Sequence, residues 1–323
     1  MPEPPGEAAG RSPLASSHTW PASIRRPDFL LIGAAKSGTT ALYRQLGQHP
    51  AVFLPHLKEA NFFGLPAHGA RFHGPNDDEG INRRSIVDAR EYSSLFRPAA
   101  DAVAVGEAST LYLCSERAAR RIWEFDPGMR ILAVLRDPVE RAFSAYRHLV
   151  RDGHETLPFE EALDREAERL SAGWSHIWHY AGAGFYAGQL RRYYELFPRQ
   201  QILVLTYDEY VDRPDRCLHR IFEFLGVDPS FVPDLGRRYN VSGAPRSTLL
   251  HRLAVRPSLL KRTLRPLLPR SVRASILRVA HGWNIRARPV EIPPRARRRL
   301  SALYRTEIRD LEELTGLELA AWR

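Results

Sequence analysis

Four short runs of apolar residues punctuate the chain: DFLLIG (28–33), AVAVGE (102–107), RILAVLR (130–136) and QILVLTY (201–207). Each is near-continuous rather than alternating, and each has the length of a strand, which predicts strands buried on both faces. Between them the apolar positions fall into a helical period. In TTALYRQLGQHP, Ala41, Leu42 and Leu46 share one face of a helix that stops before Pro50. SERAARRIWEF, DPVERAFSAYRHLV and YAGQLRRYYELF read as further helices. Strands alternating with helices predict an α/β fold, a parallel β-sheet flanked by helices, with ligands beyond the carboxyl ends of the strands.

The same pattern divides the chain. Residues 1–26 are rich in Pro, Ala and Ser and predict a disordered leader. Residues 27–230 carry the strand–helix alternation and predict the core. Residues 231–323 begin loop-rich, pass through a basic Leu/Arg/Pro stretch and end in an amphipathic helix around ARRRLSALYRTEIRDLEEL, a tail expected to pack on the core.

Composition narrows the class. With 323 residues, of which 44% are hydrophobic and 10% aromatic, the chain can bury one sizeable core. The amino-terminal stretch has no apolar run of a secretory segment, and no later run is long enough to span a bilayer, so a cytoplasmic protein is expected. Cys114 and Cys217, the only cysteines, each sit inside a regular segment and read as free thiols of a reducing compartment. The formal charge of +10 suits nucleic acid, a membrane surface or anionic small molecules. The basic residues thicken towards the carboxyl end and read first as a solvated surface with arginine stems over apolar patches, next as an anionic-substrate surface, and the aromatic interleaving of RNA-binding modules is missing. The oligomeric state has no signature in the sequence.

Lysine usage is selective. It occurs only at 36, 58 and 261, which leaves 44 of the 47 basic residues as arginine. A compact ammonium with three rotatable donors therefore has a specific use at Lys36 and Lys58 that a planar fork does not serve.

The first apolar run leads into GAAKSGTT. Gly33 and Gly38 bracket Lys36 and Ser37, while Thr39 and Thr40 open the helix, so backbone N–H groups and hydroxyls converge on an anion site. The register differs from Walker A, whose lysine follows the second glycine; here Lys36 precedes it by two residues. A second anion subsite follows RILAVLR. Arg136 ends that strand, Pro138 starts a helix, and Ser144 lies two turns in, so a guanidinium and a hydroxyl can meet one anion. His148, four residues beyond Ser144, shares its face. Taken singly, these residues also read as a strand-end Arg136/Asp137 pair, a surface serine and a half-buried polar histidine. Two carboxylates compete as a general base, Glu59 in LKEANFF and Glu107 at the end of AVAVGE, and the residues alone do not rank them.

Together, GAAKSGTTALYRQLGQHPAVFLPHLKEANFF and ILAVLRDPVERAFSAY resemble the PAPS-dependent sulfotransferases, in particular the heparan sulfate N- and 3-O-sulfotransferase-like branch. The resemblance runs from about residue 27 to 226. It implies a P-loop-like loop, Lys36, Ser37, Gly38, Thr39 and Thr40, around the 5′-phosphosulfate, with Arg136 and Ser144 on the 3′-phosphate. It further implies Glu59 as general base, His148 near the reacting centre, and a late cofactor loop at Ser242, Gly243, Ala244, Pro245 and Arg246. The implied donor is PAPS, the product adenosine 3′,5′-bisphosphate, and no metal is required. Asn61 stands where the 3-O-sulfotransferases typically have histidine, and the membrane anchor and disulfide of the luminal relatives are missing. The acceptor, a hydroxyl or amine of a saccharide, lipid, phenol or other natural product, stays open. Two rival classes remain: a metal-dependent P-loop kinase, which would need a Walker A lysine in register, and a basic nucleic-acid-binding protein, whose affinity would fall steeply with salt.

Overall fold

The computed structural model describes residues 20–236 except 67, 70 and 100, residues 291–323, and the backbone of two short strands at 244–245 and 285–286. Its centre is a five-stranded sheet in which every pairing is parallel. In chain order the strands are β1 (Phe29–Gly33), β2 (Val52–Phe53), β3 (Ala104–Ala108), β4 (Arg130–Leu135) and β5 (Ile202–Thr206), arranged β2-β3-β1-β4-β5. The four apolar runs thus supply β1, β3, β4 and β5. The fifth strand, β2, escapes the pattern because it is two residues long and hemmed by Pro50 and Pro55.

Period-two alternation of side chains sends the two faces of the sheet into two cores. Leu30 and Ile32 of β1, with Ile131, Ala133 and Leu135 of β4, face a large aromatic-rich layer. Phe29 and Leu31, with Leu132, Val134 and Leu205, face a smaller one. Helix α1 (Thr39–Leu46) covers the smaller layer through Leu42 and Leu46. Further along the chain come α2 (Ala89–Ser94), α3 (Leu111–Cys114), α4 (Ala118–Phe125), α5 (Pro138–Arg151), α6 (Phe159–Asp164), α7 (Glu166–Ser171) and α8 (Tyr186–Tyr194). After β5, α9 (Tyr207–Asp212) and α10 (Pro214–Leu225) lead towards the antiparallel pair β6 (Ala244–Pro245) and β7 (Ile285–Arg286), and α11 (Pro294–Thr315) is followed by a 3-10 turn at Ala320–Trp322.

Boundaries follow local chemistry. Asp137 caps α5 by accepting the Val139 N–H at 2.8 Å, and Pro138 occupies the first turn where its missing donor is harmless. The run QILVLTY was expected to stay extended through Tyr207. Instead Thr206 accepts the Glu209 N–H at 3.1 Å and turns Tyr207 into the first residue of α9. In α11 the buried residues Leu300, Tyr304, Ile308 and Leu311 recur at helical spacing and join the larger core, with the Tyr304 hydroxyl donating to the Ala181 carbonyl at 2.7 Å. Cys114 lies half-buried in α3 and Cys217 buried in α10, both as free thiols. Among the described residues no helix is long and apolar enough to cross a membrane.

Gly106 in β3 marks the tightest packing in the sheet. A Cβ there would stand 2.2 Å from the Phe29 ring, which is fully buried between β1 and β3. Gly106→Ala is expected to destabilise the fold by about 1–3 kcal/mol or more, the range for overpacking a closed core. Denaturant unfolding of the variant against the parent checks this, and an unchanged midpoint contradicts it.

Candidate functional site

At the carboxyl edge of the sheet, the loop between β1 and α1 turns sharply. Lys36 has φ 71° and Gly38 φ 80°, the latter wedged so that a Cβ would lie 3.0 Å from the Tyr207 ring. This turn lifts the lysine side chain to the wall of a cleft of about 630 Å³. Among the described residues, four non-glycine positions adopt a left-handed backbone, Lys36, Glu59, Asn61 and Asn76, and all four line this one cleft. Clustering of disfavoured conformations marks where the surrounding structure over-determines geometry.

The segment carrying Glu59 docks on the chain leaving β3. The Glu59 N–H donates to the Ala108 carbonyl at 2.8 Å. Glu59 Oε2 accepts the Thr110 N–H at 2.7 Å and the Thr110 hydroxyl at 3.1 Å, while Oε1 pairs with Lys58. Burial would raise the proton affinity of Glu59, but Lys58 and the Thr110 amide outweigh it and hold the carboxyl below its usual range. At neutral pH it is a carboxylate.

Arg136 follows β4 directly and is tied to the first loop. Its guanidinium reaches the Lys36 carbonyl at 3.5 Å, stacks over Tyr207 with 4.9 Å to the ring centre, and lies 3.7 Å from Glu140. Ser144 and His148, on one face of α5, line the same cleft. Arg151 donates to His148 Nδ1 at 2.7 Å and to Asp152 at 2.7 Å. With Nδ1 accepting, the ring proton sits on Nε2, and burial together with the Lys36 charge pushes the imidazole pKa down to about 4. His148 is therefore a neutral donor, and its contact with Asp152 at 3.5 Å is not an ion pair.

The cleft thus brings together Lys36, Gly38, Thr39, Thr40, Glu59, Arg136, Ser144 and His148. Ser37 differs from its neighbours: its hydroxyl is fully buried without a partner among the described residues, and its N–H donates to the Ala34 carbonyl at 3.2 Å. Glu107, the rival carboxylate, is fully buried and off the cleft wall, which removes it as a base that touches an acceptor. Of the expected late loop, Ser242, Gly243 and Arg246 lie outside the described residues, and only the backbone of Ala244 and Pro245 is described, as β6.

Sequence reasoning missed other lining residues, some beside the predicted ones and some from separate loops. Asn76, Arg84, Arg151, His176 and Tyr207 all line the cleft. The lysine bias did mark Lys58 as unusual. Segments 74–84 and 174–178 carry no motif; they are joined by buried Asp77, which accepts the Gly74 N–H at 2.8 Å, the Ser175 N–H at 2.9 Å and the Ser175 hydroxyl at 2.6 Å. Chemically, the arrangement sets five cationic side chains, Lys36, Lys58, Arg84, Arg136 and Arg151, around a pocket with three carboxylates. Of these, Asp77 is buried in the hydrogen bonds of its loops and Asp152 is bonded to Arg151, which leaves a cationic cleft fit for a polyanion with Glu59 as a proton acceptor on its wall.

Comparison with known proteins gives one answer. A family model described as "Sulfotransferase family" matches residues 27–231. The crystal structure of a sulfotransferase from Alicyclobacillus acidocaldarius superposes with a TM-score of 0.75 at 35% identity, covering 93% of this chain and 100% of that one. The bovine bifunctional heparan sulfate N-deacetylase/N-sulfotransferase 2 is 29% identical over 210 residues, which is 64% of this chain and 22% of that protein. The human heparan sulfate glucosamine 3-O-sulfotransferase 3B1 is 27% identical over 218 residues, 67% of this chain and 50% of that protein. The chain thus spans about a fifth to a half of the length of these curated relatives.

Lys36 supplies a pH test. Burial and the nearby Arg151 charge lower its pKa to about 8, so part of its charge is already lost at mildly alkaline pH. A bound anion favours the ammonium and raises that pKa. Affinity for adenosine 3′,5′-bisphosphate is expected to be constant below about pH 8 and to weaken by about tenfold per pH unit above it, until the pKa of the complex is reached. Calorimetry across pH checks the slope; a flat profile to pH 10 removes Lys36 from the anion site.

Proposed function

This chain belongs to the sulfotransferase family, and we propose that it transfers a sulfuryl group from PAPS to a hydroxyl or amine of a saccharide or small-molecule acceptor by in-line displacement. One observation carries the reading: the loop cation Lys36, the strand-end guanidinium Arg136 and the carboxylate Glu59 share one cleft, with Arg136 bonded to the carbonyl of Lys36 itself. The donor set fits the ligand. A doubly phosphorylated nucleotide needs several cationic and hydroxyl groups, and the cleft holds Lys36 at the start of α1 together with Arg136 and Ser144.

PAPS, when bound, supplies an activated sulfuryl group on a phosphate leaving group. The chain's residues then divide the work. Lys36 and the backbone N–H groups around Thr39 and Thr40 neutralise charge as the leaving phosphate departs, and fixed donors in a partly enclosed cleft do so without reorganising. The Nε2–H of His148 adds a neutral donor beside Lys36. Glu59 accepts the acceptor's proton. Its lowered proton affinity keeps it ionised through the neutral range, and the Thr110 amide fixes which way it faces. Arg136 and Ser144 hold the 3′-phosphate and so select the donor.

Calorimetry with adenosine 3′,5′-bisphosphate against ATP is the direct test, and tighter binding of the bisphosphate is expected. If the two bind alike, the reading fails. Arg136→Ala should erode the preference for a 3′-phosphate, measured as the affinity ratio between adenosine 3′,5′-bisphosphate and 5′-AMP. Glu59→Gln should leave bisphosphate affinity within a few-fold and cut turnover by roughly 10²–10⁴-fold, the range for losing a general base. Normal turnover in that variant would place the base elsewhere.

A further inference from the structure

Glu107 has no part in the chemistry above, yet it is placed with unusual care. It is fully buried near the end of β3, just under the segment that carries Glu59. Its Oε1 accepts the Ser109 hydroxyl proton, and Ser109 Oγ in turn accepts the Asn61 N–H at 2.9 Å. Oε2 has no hydrogen-bond partner among the described residues. The hydroxyls of Tyr92 on α2 and Tyr112 on α3, both fully buried and both facing this carboxyl, have none either.

The charged and titratable groups around it are few. Lys58 and Glu59 face it from the docked segment, Tyr43 from α1, Tyr92 from α2 and Tyr112 from α3. Lys58 is already paired with Glu59, so the nearest cation does not neutralise Glu107. An ionised carboxyl here would be a charge out of water, held by the Ser109 hydroxyl and with a second carboxylate beside it. A protonated one is a donor at a site faced by two tyrosine hydroxyls, whose oxygens are acceptors. Burial moves the balance the same way, lifting the Glu107 pKa to about 7.

Resting on the reading of Glu59 as the base, we propose that Glu107 is a positioning residue that acts in its protonated form: through Ser109 it fixes the amide of Asn61, sets the left-handed turn over 59–61, and so aims the Glu59 carboxylate at the acceptor. Ionisation of Glu107 places a second negative charge behind Glu59 and turns the tyrosine hydroxyls towards it. The alignment of the base then depends on pH through a group that never touches substrate.

The test compares Glu107→Gln, a neutral isostere that keeps a donor and an acceptor, with Glu107→Ala, which keeps neither. Turnover is read as release of adenosine 3′,5′-bisphosphate from PAPS with water or glycerol as the acceptor. The glutamine variant is expected to stay within a few-fold of the parent at about pH 6 and to lack the parent's decline towards about pH 8. The alanine variant should lose roughly 10²-fold in kcat, the scale for a misplaced reacting group, with bisphosphate affinity unchanged by calorimetry. Should the alanine variant fail to fold, Ser109→Ala breaks the same link and takes its place. Thermal melting gives a readout that needs no acceptor. A carboxyl whose folded pKa is raised binds its proton more tightly in the folded state, so its stabilisation falls as pH rises from the ordinary carboxylate range through about 7. The melting temperature of the parent minus that of Glu107→Gln should therefore fall by about 3–4 °C between about pH 5 and 8. A pH-independent difference, or a glutamine variant as impaired as alanine at every pH, overturns the proposal. A parent protein that does not bind the bisphosphate overturns the donor reading instead, and the melting comparison still decides the state of Glu107.

Discussion

The cleft depends on one constraint: β1, β3, β4 and β5 run parallel, so their carboxyl ends open on the same edge. Lys36 leaves β1, Ser109 and Thr110 leave β3, Arg136 leaves β4 and Tyr207 leaves β5. Residues separated by up to about 170 positions in sequence become neighbours because the sheet register sets their spacing. The contact of Arg136 with the Lys36 carbonyl and its stack on Tyr207 are local expressions of that register. No single loop could build such a clamp.

Concentrating cations at one edge has an electrostatic consequence. Lys36 shows it: burial first, and then repulsion from the charges of Arg151 and Arg136, lower its pKa to about 8. The cleft holds this repulsion as a ready complement to an incoming polyanion, whose charge relieves it. Strain is distributed in parallel. The left-handed backbones of Lys36, Glu59 and Asn61 would be disfavoured in isolation, and each is fixed by contacts from another element: Arg136 on the first, Ala108 and Thr110 on the second, Ser109 on the third.

The fold was legible because its strands are continuous apolar runs, a signal that survives without any knowledge of partners. The misses were local. Val52 and Phe53 form an edge strand too short to leave a period, and Tyr207 looks like strand until the capping hydroxyl of Thr206 is seen to turn the chain. On the donor side, contiguous motifs such as GAAKSGTT and LRDPVERAFSAYRH carry their geometry within themselves, so Lys36, Arg136, Ser144 and His148 could be placed together. The role of His148 could not be read, since it turns on Arg151 occupying Nδ1. Without the family resemblance, Glu59 and Glu107 could not be ranked, for a related reason. Both sit near the edge of the sheet, and only burial separates an accessible carboxylate from an enclosed one.

The cleft wall formed by segments 74–84 and 174–178 is built on a different principle, which explains why the sequence conceals it. The two loops lie about 100 residues apart, and their union rests on the His73 N–H bond to the Gly173 carbonyl at 3.1 Å and on the two hydrogen bonds that Ser175 donates to the Asp77 carboxylate, rather than on the sheet. Backbone amides and one hydroxyl satisfy that carboxylate, so the hook tolerates change in the side chains it carries forward, Asn76, Arg84 and His176. One part of the cleft is therefore written into strand ends, the other into loops held by a few hydrogen bonds. The residue that touches both is Glu59, fixed by Ala108 and Thr110 at the end of β3 and lining the cleft.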